Sequence, residues 1–144
     1  MNNPVIFIDP LGLICIYSQS SGTLFCWNDQ VGVYLDEEAY SGAGVGKNNP
    51  EWDDVPNIGP IPKGTYTVGP SVTVPGKTIP GKQLIPDAIT KATFPEFRED
   101  WTFYIHGGYP RNSKKYGTAS EGCIILNKTP RGKIPVGETV IVVE

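Results

Sequence analysis

The sequence holds a single histidine, His106, and only three cysteines, Cys15, Cys26 and Cys123. A structural zinc site draws four ligands from closely spaced Cys and His residues, so these few scattered side chains argue against a metal centre. Positive charge is not in excess either: 12 Lys and Arg stand against 15 Asp and Glu, a net charge of −3. That balance lacks the basic footprint of a nucleic-acid-binding chain. Long hydrophobic runs are absent. The apolar stretch from Val5 to Ile16 is broken by Asp9-Pro10, and Met1-Asn2-Asn3-Pro4 carries no cation, so neither a signal peptide nor a membrane span is expected. The glycine-rich segment Tyr40 to Pro50 lacks the residues of a phosphate loop, with Ser41 where the first glycine belongs and Asn48 after Gly46-Lys47. Its glycines instead suit a chain passing close to another backbone or to a substrate. No cofactor is implied.

What is present in quantity is turn chemistry. Seventeen glycines and fourteen prolines spread over 144 residues leave little room for helices of ordinary length and favour short strands. The length suits one domain, and no repeat or low-complexity tract divides it. The expected architecture is mainly β, a single-domain sandwich or partly closed barrel. Ile14 to Gln19 and Thr23 to Asn28 read as a hairpin around Ser20-Ser21-Gly22. Cys15 and Cys26 fall opposite each other in it, an arrangement that suits a cross-strand disulfide and equally two small apolar core residues. Further along, Val74-Pro75-Gly76-Lys77 and Ile79-Pro80-Gly81-Lys82 are two turn signals that predict an exposed, irregular insertion near the site. Pro86 to Ala92 suits a short helix, Thr129 to Gly132 a turn, and Thr139 to Val143 a closing β-branched strand.

The chemistry concentrates between Trp101 and Asn127. Trp101, Phe103 and Ile105 alternate with Thr102, Tyr104 and His106, which predicts a half-buried strand ending at the histidine. A turn-rich loop then leads to Ser120-Glu121-Gly122-Cys123 and the apolar run Ile124-Ile125-Leu126. A thiol attacks well only as a thiolate, and an imidazole within hydrogen-bond reach can take its proton and return it to a leaving group. Gly122 leaves the backbone beside the thiol open, so N–H groups of Gly122 and Cys123 are candidate oxyanion donors. Gly107-Gly108 allows equally close packing behind His106.

His106-Gly107, followed after a variable loop by Ser120-Glu121-Gly122-Cys123-Ile124, resembles the L,D-transpeptidase (YkuD-like) motif. Many members carry a second histidine between the serine and glycine and an arginine after the hydrophobic residue; here those positions hold Glu121 and Ile125. The acid–base pair is intact. Pro62-Lys63-Gly64-Thr65-Tyr66, with Tyr40-Ser41-Gly42 and Lys47 to Pro50, resembles the subgroup of interbacterial effectors delivered by type VI secretion. Asn3 to Leu13, with its Asp9-Pro10-Leu11-Gly12-Leu13, resembles the junction that precedes the C-terminal toxin in Rhs-type polymorphic toxins. This divides the chain into a junction peptide, 1–13, and a toxin domain, 14–144.

The resemblance implies an antibacterial enzyme acting on peptidoglycan tetrapeptide stems, with L,D-carboxypeptidase activity, D-amino-acid exchange or both. It implies Cys123, His106, Gly107 and Gly122 as catalytic residues. Tyr104, Tyr109, Arg111 and Ser120 are implied at the substrate, with Ser120 equally suited to fixing the loop; Arg111, Lys114 and Lys115 read more simply as a solvated basic loop. The implied partners are a cognate immunity protein and the secretion machinery, reached through the Rhs core. The place of action is the periplasm of the target cell. Two other readings remain open on the same residues: a Cys–His peptidase or amidase cutting other cell-wall bonds, and a noncatalytic wall-binding module.

Overall fold

The computed structural model describes residues 14–28, 32–94, 103–108, 114, 120 and 122–144. The expected junction peptide therefore lies outside the described residues. β1 (Ile14–Ser18) and β2 (Thr23–Asn28) form the expected hairpin, and β3 (Gly32–Asp36) continues it antiparallel. Cys15 faces Cys26 in register and the two are joined as a disulfide, both fully buried. A two-residue strand β4 (Tyr40–Ser41) follows, then short 3-10 turns at Gly44–Gly46 and Pro50–Trp52.

The long hairpin of β5 (Gly64–Thr73) and β6 (Pro80–Pro86) fills the middle of the fold. After it come α1 (Ala88–Ala92), β7 (Phe103–His106), β8 (Ile124–Ile125), α2 (Lys128–Gly132) and β9 (Thr139–Val143). Asp87 caps α1 by accepting a bond from Thr90 N at 2.7 Å, as the Pro86-Asp87 start predicts. Among the described residues no helix is long and apolar enough to cross a membrane.

All nine strands belong to one mixed sheet in the order β3-β2-β1-β9-β5-β6-β7-β8-β4. Its two edges, β3 and β4, are consecutive in the chain. Laid flat, nine strands would hold those edges about 38 Å apart, yet Glu37 to Ala39 can bridge only about 14 Å. The sheet must curl, giving a partly closed barrel rather than two packed sheets. A side-chain clasp crosses the opening. The buried Asp36 carboxylate at the end of β3 accepts from Asn127 N at 2.8 Å and from Asn127 Nδ2 at 3.0 Å, just beyond β8.

The concave face holds one continuous core that includes Tyr17, Leu24, Ile61, Tyr66, Leu84, Phe103, Ile105, Ile124 and Val140. Phe103 meets Tyr66 and Phe94 edge-on, with ring centroids 6.2 and 6.1 Å apart.

Three local expectations change. The second Pro-Gly signal, Pro80-Gly81, lies inside β6, so only residues 74–79 turn and there is no irregular insertion. Proline is tolerated as the first residue of a strand, and Gly81 is needed because a Cβ there would press on Val74 and the Ile105 carbonyl. β7 is buried on both faces rather than half-buried: Phe103 and Ile105 join the main core, and Tyr104 and His106 on the other face are covered as well. Residues 128–132 form a helical turn, α2, in place of the simple turn read from Thr129 to Gly132.

Candidate active site

β7 ends on His106, whose Cα pairs with that of Gly81 on β6 and with that of Ile125 on β8. The imidazole is completely buried. Its Nδ1 lies 2.7 Å from the carbonyl oxygen of Gly107. A carbonyl only accepts, so in the neutral ring Nδ1 carries the proton and Nε2 presents its lone pair. Nε2 is buried and has no hydrogen-bond partner among the described residues. An orphaned acceptor in a protein interior is costly, and such atoms are concentrated where a function uses them. Burial holds the ring below its ordinary pKa; the Gly107 carbonyl opposes that shift, while the charges of Lys77 and Arg131 add to it.

Cys123 arrives from the neighbouring strand. β8 runs parallel to β7, with Ile105 opposite Ile124 and His106 opposite Ile125. Ile124 and Leu126 point into the main core, whereas Ile125 packs with Tyr40 in a second cluster that Cys123 joins. Alternation along the strand therefore sets Cys123 on the His106 side of the sheet, one diagonal step away. Cys123 is partly exposed and lies outside the disulfide.

The loop before Cys123 is held by two serines. Ser120 is fully buried; its hydroxyl donates to Cys123 O at 2.6 Å and accepts from Gly42 N at 2.9 Å and Gly122 N at 3.1 Å. Ser41 Oγ donates to Gly122 O at 3.2 Å and accepts from Ile61 N at 2.8 Å. Gly122 sits at φ +121°, a conformation that L side chains rarely adopt. Its N–H, expected to face an oxyanion, is spent on Ser120. Gly42 and Gly46 allow close backbone passage, since a Cβ on either would strike the Ile58 carbonyl.

Of the residues singled out from sequence, the structure gathers His106, Gly107, Ser120, Gly122 and Cys123 at the ends of β7 and β8. Tyr104 lies two residues before His106 on the same face of β7 and is 9% exposed. Tyr109, Arg111 and Lys115 lie outside the described residues; Lys114 is exposed.

The model of the Tlde1 domain matches residues 36–136, a span that contains the Asp36 clasp, His106 and Cys123. The chain belongs to the Tlde1 domain family. This is the family of type VI secretion L,D-transpeptidase-like effectors that the motifs around residues 56–66 and 104–126 resemble. No curated protein matches the sequence. Among solved structures, an L,D-transpeptidase from Mycobacterium smegmatis is similar at 15% identity and a TM-score of 0.49, over 92% of this chain and 58% of that one. L,D-transpeptidase 1 from Mycobacterium tuberculosis gives 14% and 0.49, over 92% and 61%. L,D-transpeptidase 3 from the same organism, in complex with a faropenem-derived adduct, gives 17% and 0.49, over 92% and 60%. The chain thus spans about three-fifths of the length of these structures.

Some of what builds the Tlde1 site here carried no signal in sequence. Ser41 and Gly42 stood out only as part of a resemblance, not as supports of the cysteine loop. Asp36 gave no signal, because its partner Asn127 lies 91 residues away.

Proposed function

We propose that this Tlde1 domain is a cysteine-dependent enzyme acting on peptidoglycan tetrapeptide stems, with His106 as its acid–base partner. The observation that carries the reading is the His106 ring itself, with Nδ1 held by Gly107 and a buried, unpartnered Nε2 on the face of the sheet that carries Cys123.

In this mechanism Nε2 takes the Cys123 proton as the sulfur attacks the carbonyl carbon at the L-centre of the third stem residue. The carbonyl electron pair moves to oxygen, forming a tetrahedral intermediate. Its collapse breaks the C–N bond, and the terminal D-alanine leaves with the proton returned by Nε2. Water then attacks the thioester to give the shortened stem, or the amine of a free D-amino acid attacks to give an exchanged one. In either case the nucleophile's proton passes through Nε2 back to the thiol. Ser120 and Gly122 act by position: the first locks the loop, and the second permits its backbone angle.

Delivery through an Rhs core, action in a target periplasm and neutralisation by an immunity protein complete the proposal. The Cys15–Cys26 disulfide supports an oxidising place of action. Expression of the domain with and without a periplasmic export signal in a susceptible bacterium tests it. Lysis with loss of tetrapeptide stems is expected only for the exported form and not for Cys123→Ala. Equal toxicity of the Cys123→Ala form would contradict the enzymatic reading.

A further inference from the structure

A cleft of about 810 Å³ opens beside His106, between the turn joining β5 to β6, the end of β7 and α2. Its lining includes Lys77, Lys82, Lys128 and Arg131, and among the described residues no acidic one lines it. Four of the chain's 12 Lys and Arg residues thus converge on one concavity. Its size falls within the range of small-ligand sites, about 300–1,000 Å³.

Lys82 and Arg131 are anchored, whereas Lys77 and Lys128 are exposed at the rim. Lys82 reaches from β6 to donate to the carbonyl oxygens of Arg131, at 3.4 Å, and of Ile134, which ties the end of α2 to the sheet. Arg131 lies flat against Gly107, where any Cβ would overlap its guanidinium. That contact places a fork of donors next to the residue that orients His106. Among the described residues no carboxylate pairs with Lys77, Lys128 or Arg131.

From this arrangement we infer that the cleft is a carboxylate-recognition site for the anionic stem peptide, with Arg131 and Lys77 gripping carboxylates beside Gly107 at the end of β7 and Lys82 positioning Arg131. The inference rests on the stem peptide being the substrate. A tetrapeptide stem carries several carboxylates within a few residues, which suits a cleft lined by four cations. Arginine offers such groups two parallel donors, and charge-assisted bonds of this kind are the strong ones.

The test is equilibrium binding of a purified disaccharide tetrapeptide to the Cys123→Ala protein. The comparison compound is the same molecule with its glutamate and diaminopimelate carboxylates amidated. The acid form is expected to bind about tenfold more tightly. Adding Arg131→Gln or Lys77→Gln should reduce that preference to about threefold or less. Lys63→Gln, exposed and not among the lining residues, should preserve it. Equal affinity for the two compounds, no binding of either, or a preference that survives both cleft variants would overturn the inference. Because binding needs no turnover, the two readings fail separately. Preference without processing by the native protein leaves the cleft and removes the catalytic proposal; processing without preference does the reverse.

Discussion

His106 is held by one backbone carbonyl on one nitrogen and, among the described residues, by nothing on the other. Its pKa is lowered, first by burial, and Lys77 and Arg131 act in the same direction. The imidazole is therefore neutral and able to accept a proton at neutral pH, and the acidic limb of kcat/KM on a tetrapeptide is expected below 6.5, the ring's ordinary value. A limb above 6.5 would contradict this. The same shift acts on stability. Above 6.5 the ring is neutral in both folded and unfolded chains and contributes nothing. Below it the unfolded chain binds a proton that the folded chain refuses, so stability falls as pH drops from 6.5 towards the lower folded value. Urea unfolding at about pH 7.5 and about pH 5.5 should show a larger loss for the native protein than for His106→Gln.

Ser120 is the other residue whose role is set by its bonds. Replacing it with alanine leaves two buried N–H groups and one carbonyl without their partner, a cost of about 2–3 kcal/mol. Ser120→Ala should lower the urea midpoint accordingly and lower kcat through the displaced Cys123. A midpoint within error of the native value would show that the loop is held elsewhere.

At the scale of elements, the parts legible in the sequence were those whose causes are local. The β1–β2 hairpin follows from Ser20-Ser21-Gly22, α1 from its Asp87 cap, and β9 from a run of β-branched residues. The place of β9 was not legible. It inserts between β1 and β5, parallel to the first and antiparallel to the second, and no local pattern encodes pairings with strands so far back in the chain. The double burial of β7 was hidden too, because Tyr104 and His106 are polar enough to read as a solvent face and what covers that face is not local in sequence.

The hairpin also carries the chain's one disulfide among the described residues, with the cysteines 11 positions apart. Closing a loop of that size restrains the unfolded chain by about 3 kcal/mol in the chain-entropy account. Reduction should therefore shift the urea transition by about that amount, and the Cys15→Ala/Cys26→Ala protein should behave the same with or without reductant. An unchanged transition after verified reduction would show that the hairpin does not depend on the bond.

For the whole molecule, the pairing of β7, β8 and β4 brings the site together, and the curl closes the sheet around it. β3 and β4 are the sheet's two edges, and the Asp36–Asn127 clasp joins the end of β3 to the residue that follows β8. Ser41 and Gly42 hold the Ser120–Cys123 loop from β4, the strand paired directly with β8. Cys123 and His106 could be found without this knowledge, since a chain with one histidine and one cysteine outside the hairpin leaves few other choices. Arg131 and Lys77 could not, because they come together only once α2 is tied to β6 and the β5–β6 turn lies over the end of β7.

The central claim is that Cys123 and His106 form one reacting pair, and mass spectrometry of a purified disaccharide tetrapeptide tests it most directly. The peptide would be incubated with the native protein, with Cys123→Ala and with His106→Gln, in the presence and absence of a free D-amino acid. Conversion to tripeptide, or to exchanged tetrapeptide, by the native protein alone is the predicted result. Conversion that persists in either variant, or its absence from the folded native protein, would contradict the account.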